Sequence, residues 1–198
     1  MAFTPDGAGL IATDEEGAVH FFDAATGEPR NTVRVGSPDD VALSGQLALH
    51  PDGTTVAAVV GTEIRLLDAA TGAERGRLDQ EGRPPWAMAF TPDGERLVGG
   101  GTDQVVNVID AATGDRIAAL IGHTDTVVDI ALTPDGTMAA TIAADETVRL
   151  WDLTAGRQVA ALDVPGASGR IAFDAAGTRL AVGYFDGSLR LWSLPDDA

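Results

Sequence analysis

The sequence predicts an all-β chain of short four-stranded sheets set radially side by side, and three observations predict it. A turn motif, Phe3-Thr4-Pro5-Asp6-Gly7, returns as Leu49-His50-Pro51-Asp52-Gly53, Phe90-Thr91-Pro92-Asp93-Gly94 and Leu132-Thr133-Pro134-Asp135-Gly136, with a degenerate copy at Phe173-Asp174-Ala175-Ala176-Gly177. Counted from Pro5 to Pro51, Pro92, Pro134 and Ala175, the spacings are 46, 41, 42 and 41 residues, a regular period of the kind that marks repeat architectures. A second motif keeps step: Asp-Ala-Ala-Thr-Gly at 23–27, 68–72 and 110–114, then Asp152-Leu153-Thr154-Ala155-Gly156. Between the turns lie short apolar runs rich in β-branched residues, which suit strands covered on both faces. Strand and turn at this density give a four-stranded sheet per repeat.

Each repeat follows from its turns. In Pro-Asp-Gly, Pro sets φ for the first corner, Asp bonds the backbone that follows, and Gly accepts a positive φ. In Asp-x-x-Thr-Gly, the Asp accepts N–H bonds inside the turn while Gly takes the left-handed position. The first repeat runs from Ala2 to about Val35 and the second from about Gln46 to Leu78, with Val56–Val60 as a strand. The third covers about Trp86 to Ile121, with Val105–Ile109 as a strand, and the fourth about Val127 to Val164. The fifth begins near Gly169, includes Ile171–Phe173, and ends after its third strand at Leu194, so its fourth strand is missing.

The stretch from Gly122-His123 through Leu150-Trp151-Asp152 resembles one full WD40 repeat nearly position by position. Val148-Arg149-Leu150-Trp151-Asp152 and Leu189-Arg190-Leu191-Trp192 match the third-strand signature of that family. The resemblance covers essentially the whole chain and implies a β-propeller of WD40 type: four complete four-stranded blades and a three-stranded fifth. Most family members have seven blades and close by letting the opening segment supply the last outer strand. Here Met1 lies directly at an innermost strand, and Met1–Gly7 lines up with Met88–Gly94 inside the third blade. The chain is therefore expected to be part of a longer ring in a larger protein. A compact five-bladed ring and a larger ring built from two copies are the alternatives.

Composition narrows the function. The net charge of −17 argues against nucleic acid, because phosphate binding draws on clustered cations. All 13 basic residues are Arg, and with abundant Ala, Gly, Asp and Val this points to a GC-rich bacterial genome. Part of the acidity is structural, since Asp6, Asp23, Asp52, Asp68, Asp93, Asp110, Asp135 and Asp152 all sit at the recurring turns. Mean hydropathy is near zero and no apolar run reaches the roughly 18 residues of a membrane span. No basic segment leading into an apolar stretch opens the chain, so the expected location is the cytoplasm. The chain has no cysteine, which removes disulfides, thiolate metal sites and cysteine nucleophiles.

The resemblance also implies a buried hydrogen-bonded tetrad, and the fourth blade alone matches it: His123, Thr141, Asp145 and Trp151. The set is similar to a catalytic His–Asp–hydroxyl group. Its plain reading is structural, because buried polar groups must be paired and this network pairs all four. The fifth blade keeps Asp186 and Trp192 but has Val182 in place of the hydroxyl, and the third has Asp103 with Gly99 and Ile109. His20 and His50 fall at a polar strand slot and a turn slot, without metal-ligand spacing. Gly99-Gly100-Gly101 lacks the Lys and helix of a phosphate loop and suits close packing. Asp14-Glu15-Glu16 lacks the spacing of calcium loops and reads as a solvated turn. No cofactor is expected.

Binding is expected on the face formed by the turns between second and third strands and by the blade-to-blade connections. Arg83 and Trp86 flank two prolines there, and Tyr184 and Phe185 sit at another such turn. Trp and Arg dominate interface hot spots, and Pro lowers the ordering cost. Trp86 equally suits capping the third blade's core. The sequence thus reads as a non-enzymatic scaffold for a protein or peptide partner, in a bacterial regulatory or signalling protein. Two alternatives stand beside it. One is a small-ligand or enzymatic propeller with a central-channel site, for which the innermost strands offer only Asp129 and Arg170. The other is an assembly module that self-associates through open blade edges.

Overall fold

A computed structural model of the chain describes residues 1–4, 6–14, 18–34, 47–60, 63–79 and 85–194. Pro5, Glu15, Glu16, Val35, Gln46, Arg83 and Pro84, which figure in the sequence reading, lie outside the described residues. The chain divides into two compact units, Met1–Pro85 and Trp86–Ala198. Among the described residues every regular element is a strand, and none is a helix long and apolar enough to cross a membrane.

The first unit holds two sheets. One runs β1 (Ala2–Phe3), β2 (Gly9–Thr13), β3 (Ala18–Asp23) and β4 (Pro29–Arg34). The other runs β5 (Leu47–Leu49), β6 (Thr55–Val60), β7 (Glu63–Asp68) and β8 (Glu74–Asp79). The second unit holds three. They are β9 (Ala87–Phe90), β10 (Arg96–Gly100), β11 (Val105–Asp110) and β12 (Arg116–Ile121); β13 (Val127–Leu132), β14 (Met138–Ala143), β15 (Thr147–Asp152) and β16 (Arg157–Asp163); and β17 (Ala167–Phe173), β18 (Arg179–Tyr184) and β19 (Leu189–Ser193). Each sheet is an antiparallel meander in chain order, four of them four-stranded and the last three-stranded, the all-β architecture that the repeat predicts.

The turn motifs explain the meander. In the third sheet Asp93 accepts the Thr91 hydroxyl at 2.5 Å and the Glu95 N–H at 2.9 Å, closing the corner between β9 and β10. Gly94 takes φ 76°, as this corner requires. Asp110 accepts the N–H groups of Ala112 and Thr113 at 3.0 and 2.8 Å, closing the corner between β11 and β12. The same two corners recur at Asp135 and Asp152 in the fourth sheet. In all four complete sheets the fourth strand carries one extra residue opposite the same point of the third, between Phe21 and Phe22, Leu66 and Leu67, Val108 and Ile109, and Leu150 and Trp151. These β-bulges fall at the slot that Trp151 occupies.

The sheets pack face to face through apolar cores. In the second unit, Val98, Val106, Val108 and Leu120 meet Val127, Ile130 and Trp151 in one core. Ala140, Ile142, Val148 and Leu150 meet Ile171, Leu180 and Val182 in the next. β14, Met-Ala-Ala-Thr-Ile-Ala, is buried along its whole length because both its faces are covered, and its small residues let the neighbouring sheets approach. Gly100 serves the same end: a Cβ there would sit 3.0 Å from Val127 Cγ1 and 3.1 Å from Val127 Cβ in the next sheet. Within the glycine run at 99–101, Gly100 is thus the residue at a close sheet-to-sheet approach.

Candidate functional site

The structure brings His123, Thr141, Asp145 and Trp151 together inside the fourth sheet. β14 supplies Thr141, β15 supplies Trp151, the turn between them supplies Asp145, and the connection from β12 to β13 supplies His123. Gly122 makes room for this arrangement, since a Cβ there would lie 3.1 Å from Trp151 Cη2. Trp151 Nε1–H donates to Thr141 Oγ1 at 2.8 Å, and Thr141 Oγ1 lies 2.7 Å from His123 Nε2. His123 Nδ1 lies 2.9 Å from Asp145 Oδ2, which also accepts the Thr124 N–H at 2.9 Å. Asp145 Oδ1 accepts both the N–H of Thr147 at 3.0 Å and its hydroxyl at 2.7 Å.

These contacts fix the protonation states. Burial pushes the His123 imidazole below its ordinary value, against the pull of Asp145, so the ring is neutral near pH 7. Burial works to raise Asp145. The Thr124 N–H, the Thr147 hydroxyl and His123 outweigh it and hold the carboxyl at about 2. The tautomer that satisfies every partner has Nδ1–H donating to Asp145 and Nε2 accepting from the Thr141 hydroxyl. A chain of donors therefore runs Trp151 to Thr141 to His123 to Asp145, each with its partner. The Thr141 side chain is fully buried, and its oxygen accepts from one neighbour while donating to the other. A hydroxyl buried this way lacks the access to a substrate that a nucleophile needs.

Among the described residues the other sheets lack the set. In the last sheet Trp192 stands at the Trp151 slot and Val182 at the Thr141 slot, and Trp192 Nε1 is buried with no hydrogen-bond partner. Thr124 and Thr147, which complete the shell around Asp145, escaped sequence reasoning. The Asp-x-Thr spacing at 145–147 is the signal that marks Thr147.

Four backbone bonds show where the loops gather. The N–H groups of Trp86 and Val127 donate to the carbonyls of Gly100 and Gly101, that of Val164 to Glu146, and that of Phe185 to Gly166. Each bond joins the entry to a first strand, or the segment before it, to the turn between second and third strands, so these segments share one end of their sheets. Trp86 and Phe185 both lie at that end. Trp86 is half exposed and Phe185 is 82% exposed. Tyr184 is separated from its neighbour: it is 6% exposed, and its ring lies under the Arg190 guanidinium, 4.1 Å from the centroid. Tyr184 ends β18 on the side that Leu180 and Val182 turn to the core, while Phe185 opens the turn that follows, which corrects the reading of 184–185 as a surface pair.

The remaining candidates are occupied. Asp129 Oδ1 accepts the Ile130 N–H at 3.0 Å, and Oδ2 accepts the Ile171 N–H of the next sheet at 3.0 Å, with Arg170 Nη1 at 3.8 Å from Oδ1. Burial pushes the Asp129 carboxyl up. His20 Nε2 lies 2.7 Å from Asp14 Oδ2, and His50 Nδ1 lies 3.0 Å from Asp52 Oδ1. A cleft of about 430 Å³ in the first unit is lined by Thr4, Asp6, Arg30, Asp52 and Thr54. Asp6 there accepts the Thr4 hydroxyl and the Ala8 N–H, and Arg30 pairs with Asp23 at 2.5 Å. Among the described residues no group of three or more His, Asp or Glu is arranged to hold a metal ion.

One family model, WD40 (WD domain, G-beta repeat), matches the chain at residues 77–110, 114–152 and 167–193, just over half its length. The second match carries the whole His123–Thr141–Asp145–Trp151 set. No curated protein matches the chain.

Proposed function

The chain belongs to the WD40 family, and from that premise we propose that it is a non-enzymatic scaffold that presents a rigid loop surface to a protein partner. Proteins with these repeats generally mediate protein–protein interaction. The observation that carries the proposal for this chain is Phe185, a large apolar side chain in water on a turn that is held at three points. Its own N–H is bonded to Gly166, Tyr184 N–H to Ser188 O at 2.9 Å, and Ser188 N–H to Asp186 Oδ1 at 2.8 Å. An aromatic group preorganised this way loses little entropy on binding and suits a hot spot. Trp86 lies at the equivalent end of its own sheet. The net charge of −17 favours a partner segment of basic character.

In this proposal His123, Thr141, Asp145 and Trp151 pin the fourth sheet from within and touch no partner. A catalytic reading centred on Asp129 and Arg170 has less support, because both oxygens of Asp129 are taken by backbone N–H groups. The test is recovery of partners by the native chain and by a Trp86→Ala, Phe185→Ala double variant. A several-fold loss of recovered partners in the variant, with an unchanged melting temperature, is expected. Equal recovery ends the proposal.

A further inference from the structure

We infer that β12, the outermost strand of the third sheet, is an interface at which two copies of this chain pair edge to edge about a two-fold axis at Ala119. β12 is bonded to β11 on one side, and among the described residues no strand lies on the other. A free strand edge presents a row of unpaired N–H and C=O groups, and what completes it is another extended strand. Natural edges are blunted by charge or proline. The other outermost strands of the four-stranded sheets follow that rule. β4 opens with Pro29 and Arg30, β8 carries Glu74, Arg75 and Arg77, and β16 carries Arg157, Gln158 and Asp163. β12 has a single charge, Arg116 at its first position, followed by Ile117-Ala118-Ala119-Leu120-Ile121.

Exposure follows the same division. Ile117 is 52% and Ile121 76% exposed, and Ala119 between them is exposed as well. Among the described residues no other outermost strand of a four-stranded sheet has a large apolar side chain in water. Alternation puts Ile117, Ala119 and Ile121 on one face of β12. Ala118 and Leu120 turn the other way, into the core shared with the fourth sheet. β12 lies within the chain, with sheets before and after it in sequence, so its free edge is a property of this strand.

The order of residues names the occupant. Read outward from Ala119, the strand has Ile two positions away in both directions and an apolar residue at each position between. Let two copies pair antiparallel with Ala119 opposite itself. Ile117 of each then stands opposite Ile121 of the other, and Ala118 opposite Leu120. Directly opposed residues share a face, so the exposed isoleucines of the two copies meet. Such a contact is isologous and closes at two copies. Six residues from each copy bury less than the ~1,200–2,000 Å² of a stable interface, so the pair forms only at high concentration. Each copy carries −17, and β12 contributes no carboxylate to the contact. Salt screens the repulsion between the two copies and so strengthens the pair. The strand contains neither of the residues proposed to bind a partner, so the two proposals stand or fall separately.

The chain has no cysteine, so single cysteines report the register directly. Opposed residues of an antiparallel pair lie about 4.5–5.5 Å apart between Cα atoms, within disulfide reach. Ala119→Cys alone is therefore expected to give a disulfide-linked dimer on mild oxidation with diamide. Ile117→Cys and Ile121→Cys are each expected to stay monomeric alone, because the like positions are more than ~13 Å apart, and to cross-link when mixed. Sedimentation velocity of the full 198-residue chain, from about 10 μM to about 1 mM, is expected to show a dimer that grows with added salt. Ala119→Lys sets like charges opposite each other and is expected to weaken the dimer by about ten-fold or more. Circular dichroism melts check that each variant folds, and Ile121→Lys serves in place of any Ala119→Lys that does not. A native chain that stays monomeric, a dimer that Ala119→Lys leaves intact, or Ile117→Cys linking to itself as readily as Ala119→Cys would each overturn the inference.

Discussion

Trp151 and Trp192 occupy the same slot in successive sheets and differ in one atom's company. The Trp151 indole N–H has Thr141 as acceptor; that of Trp192 has none, because Val182 stands where the hydroxyl would be. The net worth of a hydrogen bond is small, but leaving a buried polar group unpaired costs about 1–3 kcal/mol. Replacing Trp by Phe removes the N–H and the same ring atoms in both places, from a fully buried side chain at Trp151 and a partly buried one at Trp192. In Trp151→Phe the change also takes a donor from Thr141 inside a fully buried network. In Trp192→Phe it removes a group that was already unpaired. Urea denaturation is therefore expected to show Trp151→Phe the more destabilising by about 1–3 kcal/mol. Equal losses would mean that the tetrad contributes no more to stability than packing does.

At the scale of the element, the turn between second and third strands places a residue at positive φ in each sheet of the second unit: Gln104 at 67°, Glu146 at 60° and Gly187 at 83°. Only the last is a glycine, and a side chain in the left-handed region costs about 1–2 kcal/mol. Glu146→Gly is expected to raise stability by up to about 1 kcal/mol, the remainder being offset by the freer unfolded chain. A lower denaturation midpoint would refute this. The corners before and after this turn were legible in advance because Pro-Asp-Gly and Asp-x-x-Thr-Gly mark them, and their period set the number of sheets. The tetrad was legible through the resemblance to a WD40 repeat, because its members all fall within one copy of the repeat unit. What stayed hidden depends on neighbouring sheets or on which way a side chain turns. Asp129 is held by the N–H of Ile171, 42 residues away in the next sheet, and no local pattern announces that bond. Tyr184 and Phe185 look alike in the sequence, and only the point at which β18 ends puts one in the core and the other on the turn.

For the whole molecule, the same turn carboxylates that close the corners set the response to acid. The Thr91 hydroxyl holds Asp93 below its ordinary value, the Thr113 N–H does so for Asp110, and the Thr154 hydroxyl for Asp152. Arg30 and the N–H groups of Thr26 and Ala25 hold Asp23 at about 2, and Asp145 lies at about 2 inside its network. A carboxyl whose folded pKa is depressed contributes stability that is present above its unfolded pKa and is lost as pH falls through the folded one. His123, depressed by burial, has the same sign from its unfolded value of 6.5 downward, because the unfolded chain takes up the proton that the folded chain refuses. Two effects oppose this. Protonation relieves the self-repulsion of a chain at −17, and Asp129, raised by burial, favours the folded state in acid. Repulsion between exposed charges is screened beyond about 8 Å at 0.15 M salt, whereas hydrogen bonds to the turn carboxylates are not, and Asp129 is one group against many. At that salt concentration the urea midpoint is expected to fall slightly between pH 7 and 5, as His123 comes into play. Below pH 4 it should fall steeply as the aspartates follow. A midpoint at pH 3 equal to or above that at pH 7 would show that charge relief outweighs the turns, and that the acidic residues at the corners are not what holds the sheets in register.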